Sequence, residues 1–307
     1  MKTMLIKANL AIFFAELFNA LNVNAQKYLL PEWSSPFAML LMRTAFGCIF
    51  FWVLSLFIRE GKISKKDLLI LLFGGSLSLT AYITFYLLGV MKSSPIDSSL
   101  IMSTMPLIVL VLAIILFQEH LSRLKGVGML LGITGTVIVI FAQTTDNNID
   151  NTWIGSLFCL FSAIAYGLYL IINKEFVGKY SGITLLKWMF TGAFLYSIPL
   201  VFIFGWDVPV FHQGTTWEAV SVLLFVMIFP TGLTYLLIPY ALKHLQATSV
   251  AMYDYEVPIV SSFVGILLGQ AHFDWYQPFA ASLIFAGVYL VSKENRRLKA
   301  KNILQKK

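Results

Sequence analysis

Charge is scarce in this sequence. Lys, Arg, Asp and Glu make up 12% of its 307 residues, about half of the roughly 25% that a soluble domain carries. Cysteine is nearly absent. The two present, Cys48 and Cys159, both fall inside apolar runs, which argues against a disulfide framework. The four histidines (His120, His212, His244 and His272) sit at or outside the ends of such runs. No HExxH, GxSxG or GxxxxGK[ST] occurs, so neither a membrane-embedded hydrolytic centre nor a nucleotide-phosphate loop is expected. No cofactor or metal is expected either. Period-two alternation over about ten residues is also missing, which excludes a transmembrane barrel.

What the chain does have is apolar length. Apolar residues make up 58% of it, arranged in runs of about 20, the length that crosses a roughly 30 Å hydrocarbon core as helix. The runs read as an all-α integral membrane protein with ten transmembrane helices over 5–26, 36–58, 68–91, 96–117, 125–142, 153–173, 183–204, 218–242, 247–269 and 276–292. The first run has the length of a signal peptide. It lacks a small-residue cleavage site before the next span and carries Glu16, Asn19 and Asn22, so it reads as a retained first helix.

The basic residues set the orientation. With the N-terminus inside, the inner loops hold Lys2, Lys7, Arg59, Lys62, Lys65, Lys66, Arg123, Lys125, Lys174, Lys179, Lys243 and the seven of the tail after the last span, eighteen in all. The outer loops hold only Lys27 and Lys92. Positive charge stays on the cytoplasmic side, so a multi-pass protein of the inner (plasma) membrane with both termini cytoplasmic is expected. The net charge of +7 is concentrated in the tail and suits lipid headgroups rather than nucleic acid.

The two halves resemble each other. An offset of 152 places Pro106 on Pro258, Gln118 on Gln270 and Gly135 on Gly287, and an offset of 147 places Lys27 on Lys174. Five spans per half is an odd number, so the second half enters the membrane inverted. The expected units are 1–142, 153–292 and a basic cytoplasmic tail, 293–307. Inverted repeats of this kind commonly flank a midplane site and support alternating access.

At this level the chain resembles the EamA group of the drug/metabolite transporter superfamily. The stretch ILFQEHLSRLKGVGMLLGITGTVIVI carries the best local match, with Pro106 ahead of it and Glu119, Gly128, Gly132 and Gly135 within it. Arg43, Asn22 and Lys27 match as well. Asn19-Ala20 stands where the family has Trp-Gly, and Ala271 where the second half has a glutamate. The resemblance implies ten spans in two five-span repeats and transport of amino acids, other metabolites or drugs.

Polar groups inside a bilayer are costly and point to function by default. In the first span Asn19, Asn22 and Gln26 fall within about 60° of arc, flanked by Glu16. Substrate contact is one reading of this stripe, with Glu16 as a coupling group carrying a proton; hydrogen bonding to a neighbouring helix is the other. The superfamily's small four-span relatives likewise place a carboxylate in their first helix. Ser162, Tyr166, Tyr169 and Asn173 share one face of the sixth span, and Tyr166 and Tyr169 answer Asn19 and Asn22 in the repeat. Tyr82 and Tyr86, one turn apart, and Thr231 with Tyr235 are further candidates for lining a cavity. In YDYEVP, Tyr253 and Glu256 are expected on one helical face, and Pro106 and Pro258 each free a backbone carbonyl. Arg43 either neutralises Asp254 or Glu256 or anchors its helix. Gly128 and Gly132 allow close helix approach, either within the chain or in a dimer. Glu119 is expected to pair with Arg123, Lys125 or the start of the fifth span.

These features together predict a secondary transporter, an exporter, of a small amphipathic metabolite such as an amino acid, acting as a monomer or weak homodimer. A passive channel and a membrane-embedded enzyme are the competing readings.

Overall fold

The computed structural model describes residues 2–58, 63–117, 121–142, 152–176, 179–212, 216–245 and 253–305. The described residues are helical apart from short turns and caps. Helix α1 is Lys2–Leu29 and α2 is Pro36–Ser55. Helix α3 runs Lys65–Ile70, passes through a π-helical turn at Leu71–Gly75 and continues as Ser76–Lys92. Then follow α4, Pro95–Met102, α5, Met105–Phe117, α6, Arg123–Phe141, α7, Thr152–Lys174, and α8, Gly182–Phe204. Helix α9 runs Trp217–Val226, a π-helical Met227–Leu233, then Thr234–His244. Last come α10, Glu256–Leu267, and α11, Tyr276–Gln305.

Among the described residues, eight helical stretches, the last of them within α9, are long and apolar enough to cross a bilayer, and α10 is a shorter apolar helix. Large apolar side chains such as Ile49, Phe57, Phe73, Phe202 and Phe263 stand exposed on the outside of the bundle. In water such a surface would aggregate; against lipid tails it is the expected exterior.

Hydroxyl side chains set most of the helix starts. Ser35, Ser64, Ser94, Ser122, Ser181 and Thr216 each accept a hydrogen bond from the backbone N–H three residues on, satisfying a donor that no helical carbonyl can reach. Pro36 and Pro95 follow two of these caps at the position where a missing N–H does no harm. Pro106 and Pro258 act as helix openers: α4 ends at Met102 and α5 begins beside Pro106, while Pro258 lies in the first turn of α10. The freed carbonyl of Asp254 accepts a long hydrogen bond from Val257 instead, at 3.4 Å.

Packing brings distant segments together. Helix α3 lies along α7, α2 along α8, α6 along α11 and α1 along both α9 and α10. Helix α8 also contacts α3, α9 contacts α2, and α4 contacts both α7 and α10. The glycines expected to permit close approach, Gly128 and Gly132, do so within the chain. A Cβ on Gly128 would lie 2.7 Å from the carbonyl oxygen of Gly287 on α11, and one on Gly287 would lie 2.8 Å from the backbone nitrogen of Gly132. Helix α11 continues into the basic segment as far as Gln305, where Lys, Glu, Arg, Leu and Ala favour helix. Gln118, Glu119 and His120 lie outside the described residues.

Candidate functional site

Four tyrosines meet in the middle of the bundle. Tyr82 and Tyr86 are successive on one face of α3, with ring centroids 6.1 Å apart. Tyr82 meets Tyr166 of α7 at 4.8 Å, and Tyr166 stacks on Tyr169 at 5.4 Å. Spacings of three and four residues put each pair on its own helix face, and the α3–α7 contact turns the two faces toward each other. Tyr235 of α9 joins from the far side, edge-on to Phe190 of α8 at 5.3 Å and within electrostatic range of Tyr82 and Tyr169. Tyr82, Tyr166 and Tyr235 keep accessible surface although they lie deep among the helices, as side chains lining an internal space do.

Two charged side chains flank this aromatic wall. Tyr82 lies within electrostatic range of both Glu16 and Arg43. Glu16 is 5% exposed and accepts a hydrogen bond from Asn19 Nδ2 at 3.1 Å. Arg43 does not reach Asp254 or Glu256 for an ion pair: its Nε donates to Thr231 Oγ1 at 3.0 Å. Thr231 belongs to the π turn of α9 and donates its own proton to the carbonyl of Val226.

The α1 stripe divides on inspection. Asn19 is turned to Glu16, whereas Asn22 accepts from Gln26 Nε2 at 2.9 Å, both of them buried. Val23, next to Asn22, packs with Tyr86 and Val90 of α3. Ser162 is occupied by the backbone, donating to the carbonyl of Tyr82 at 3.0 Å. Tyr253 and Glu256 do not share a continuous helical face, because Asp254 and Tyr255 form a turn and α10 begins at Glu256. The Tyr253 hydroxyl donates to Asn9 Oδ1 at 3.1 Å, nearer the N-terminal end of α1 and apart from the other tyrosines. Asp254 and Glu256 stay within electrostatic range of Glu16.

Two neighbours were not anticipated. Phe190 closes the aromatic wall from α8, but one phenylalanine among 26 gives no sequence signal. Thr234 is buried beside Tyr235, and its hydroxyl has no partner among the described residues. Among those residues no group of His, Cys, Asp and Glu is arranged to hold a metal.

A wall of aromatic rings thus lies between a carboxyl and a guanidinium, deep in a membrane-spanning bundle. The profile of the EamA-like transporter family matches residues 6–141 and again 153–293. The chain belongs to the EamA-like transporter family. An uncharacterized transporter of Archaeoglobus fulgidus is 25% identical over 294 residues, covering 96% of this chain and 100% of that one. An S-adenosylmethionine uptake transporter of Rickettsia bellii is 25% identical over 210 residues, 68% of each chain. One solved crystal structure superposes with a TM-score of 0.62 at 18% identity, over 95% of this chain and 98% of the other, a likeness of fold alone. The EamA protein described here is therefore a multi-pass membrane protein of a transporter family.

Proposed function

We propose that this EamA protein is a secondary transporter of a small amphipathic metabolite such as an amino acid, working by alternating access at a site between two inverted five-span halves. The observation that carries the reading is the tyrosine cluster, assembled from α3 of the first half and α7 and α9 of the second. Tyr82, Tyr86, Tyr166, Tyr169 and Tyr235 supply aromatic surface, Asn19 and Asn22 supply amide groups, and Glu16 is the coupling group, with Glu256 within its electrostatic range.

The repeat reading rests on more than sequence offsets. Count α4 and α5 as one span and exchange each span with the one five places away. The contact of α3 with α7 then becomes that of α9 with α1, and α3 with α8 becomes α9 with α2. The pairs α2–α8 and α6–α11 map onto themselves. Caps recur likewise, Ser35 with Ser181 and Ser64 with Thr216, and the family profile matches each half separately. The distribution of Lys and Arg supports a plasma-membrane protein with cytoplasmic termini. Gly128 and Gly135 are used against α11, which supports a monomer.

Export is the direction expected from the sequence. A second reading is import, favoured by the relatives named uptake transporters. Purified protein in liposomes, loaded with candidate amino acids on either side, tests these readings together. Saturable flux with counterflow is expected. Flux that neither saturates nor shows counterflow would identify a channel and overturn the proposal.

A further inference from the structure

Among the described residues, Arg43 is a buried cation without a counter-ion. It is 3% exposed, and among the described residues its hydrogen bonding consists of the single contact from Nε to the neutral hydroxyl of Thr231. The two terminal nitrogens of the guanidinium, four N–H donors in a planar fork, meet no carboxylate there. A charge taken out of water needs a partner of opposite sign, and an ionisable group within a membrane bundle faces the protein interior or a water-filled space.

The fold supplies its own comparison. Ser35 caps α2 and Ser181 caps α8 in the same way, and the eighth residue after each cap is Arg43 and Met189. Each of these reaches a π turn on the neighbouring helix. Arg43 contacts the π turn of α9, where Thr231 donates to the carbonyl five residues back. Met189 contacts the π turn of α3, its Cε lying 2.8 Å from where a Cβ on Gly75 would stand, and the adjoining Ser76 donates to Leu71, again five residues back. The same joint is thus built once with an apolar thioether and once with a guanidinium. Packing alone does not require the charge of Arg43.

That charge lies close to the tyrosine cluster, since Tyr82, Tyr86 and Tyr235 are all within its electrostatic range. We propose that Arg43 receives the carboxylate of the transported molecule, through its unpaired terminal nitrogens, and restricts the substrate to carboxylate-bearing compounds. The assignment rests on the tyrosine cluster being the substrate site. A planar fork matches the two oxygens of a carboxylate, and a single cation balances a monoanion rather than a phosphate dianion. Thr231 is a positioning residue that holds the fork by its remaining N–H.

The test uses the full chain in detergent, titrated with L-phenylalanine, 3-phenylpropanoate, the amide of each, and 2-phenylethyl phosphate, with thermal stabilisation as the readout. Both acids should bind at least about tenfold more tightly than their amides, as a charge-assisted bidentate contact implies. Arg43→Met, which installs the residue of the other half, should bring the acids down to the affinity of the amides. Thr231→Val should weaken the acids several-fold while keeping them ahead of the amides. Equal binding of acids and amides by the unaltered protein, no stabilisation by either acid, tightest binding of the phosphate, or an acid preference surviving in Arg43→Met would each overturn the assignment. The unaltered protein gives a decisive answer even if Arg43→Met fails to fold. Tyr166→Ala separates the two readings. Should it leave every affinity unchanged while Arg43→Met abolishes acid preference, Arg43 is the anion site and the tyrosine cluster is not the substrate wall.

Discussion

The rings of Tyr82 and Tyr166 meet 4.8 Å apart across the contact between α3 and α7, so a helix from each half contributes to one aromatic surface. Removing the Tyr166 ring should therefore weaken a ligand held there. We predict that Tyr166→Ala reduces affinity at least about tenfold, roughly 1.4 kcal/mol, with folded protein retained. Tyr166→Phe should be mild, because the ring makes the contact. Isothermal titration of both variants with a transported ligand decides this, and unchanged affinity in Tyr166→Ala would return this face to simple packing.

Glu16 is buried on α1, bonded to Asn19 and within range of Asp254 and Glu256. We predict that Glu16→Gln slows net transport driven by a pH gradient far more than substrate exchange at equal pH on both sides. Liposome assays of the two modes make the comparison. Undiminished gradient-driven transport would leave Glu16 a structural group.

Topology has a direct test. Glu32, exposed between α1 and α2, and Lys66, exposed at the start of α3, are assigned to opposite sides by the charge distribution. A cysteine at position 32 should react with an impermeant thiol reagent applied to intact cells, and one at position 66 should react only after lysis. The opposite pattern would invert the molecule.

Close helix approach should tolerate no extra atom where α6 meets α11. A Cβ on Gly287 would run into the carbonyl of Gly128 and sit 2.8 Å from Gly132 N, whereas one on Gly126 meets nothing within 4 Å. Gly287→Ala should lower stability by about 1–3 kcal/mol, the usual range for overpacking. Gly126→Ala should be neutral or slightly stabilising, since alanine favours helix. Thermal denaturation in detergent, or a changed oligomeric state on size exclusion, reads the difference.

Apolar length made nearly all the helices legible in the sequence, because each bilayer crossing needs about 20 such residues whatever the partner helix. The spacing of Tyr82 with Tyr86 and Tyr166 with Tyr169 made two shared faces legible for the same kind of reason, a fixed angle per residue. What those faces meet depends on packing between distant segments, which no local pattern encodes. Hence Arg43 finds Thr231 rather than an acid, Phe190 comes up against Tyr235, and Asn22 is taken by Gln26. Tyr253 escaped because the break before Glu256 removes the helical phase that would have aligned the two.

The π turn at Leu71–Gly75 also absorbs a residue. A π turn holds one residue more than the α-helical turn it replaces, so the helix on either side keeps nearly the phase it would have without that residue. Deleting one residue within the turn, Phe73 for example, would let α3 relax to a regular helix with Tyr82 and Tyr86 still directed at α7. A deletion in the regular helix between the turn and Tyr82 would instead swing both tyrosines by about 100°, the advance of one helical residue, and carry them away from α7. The aromatic wall thus tolerates a change of chain length at the π turn that it would not survive one turn further on.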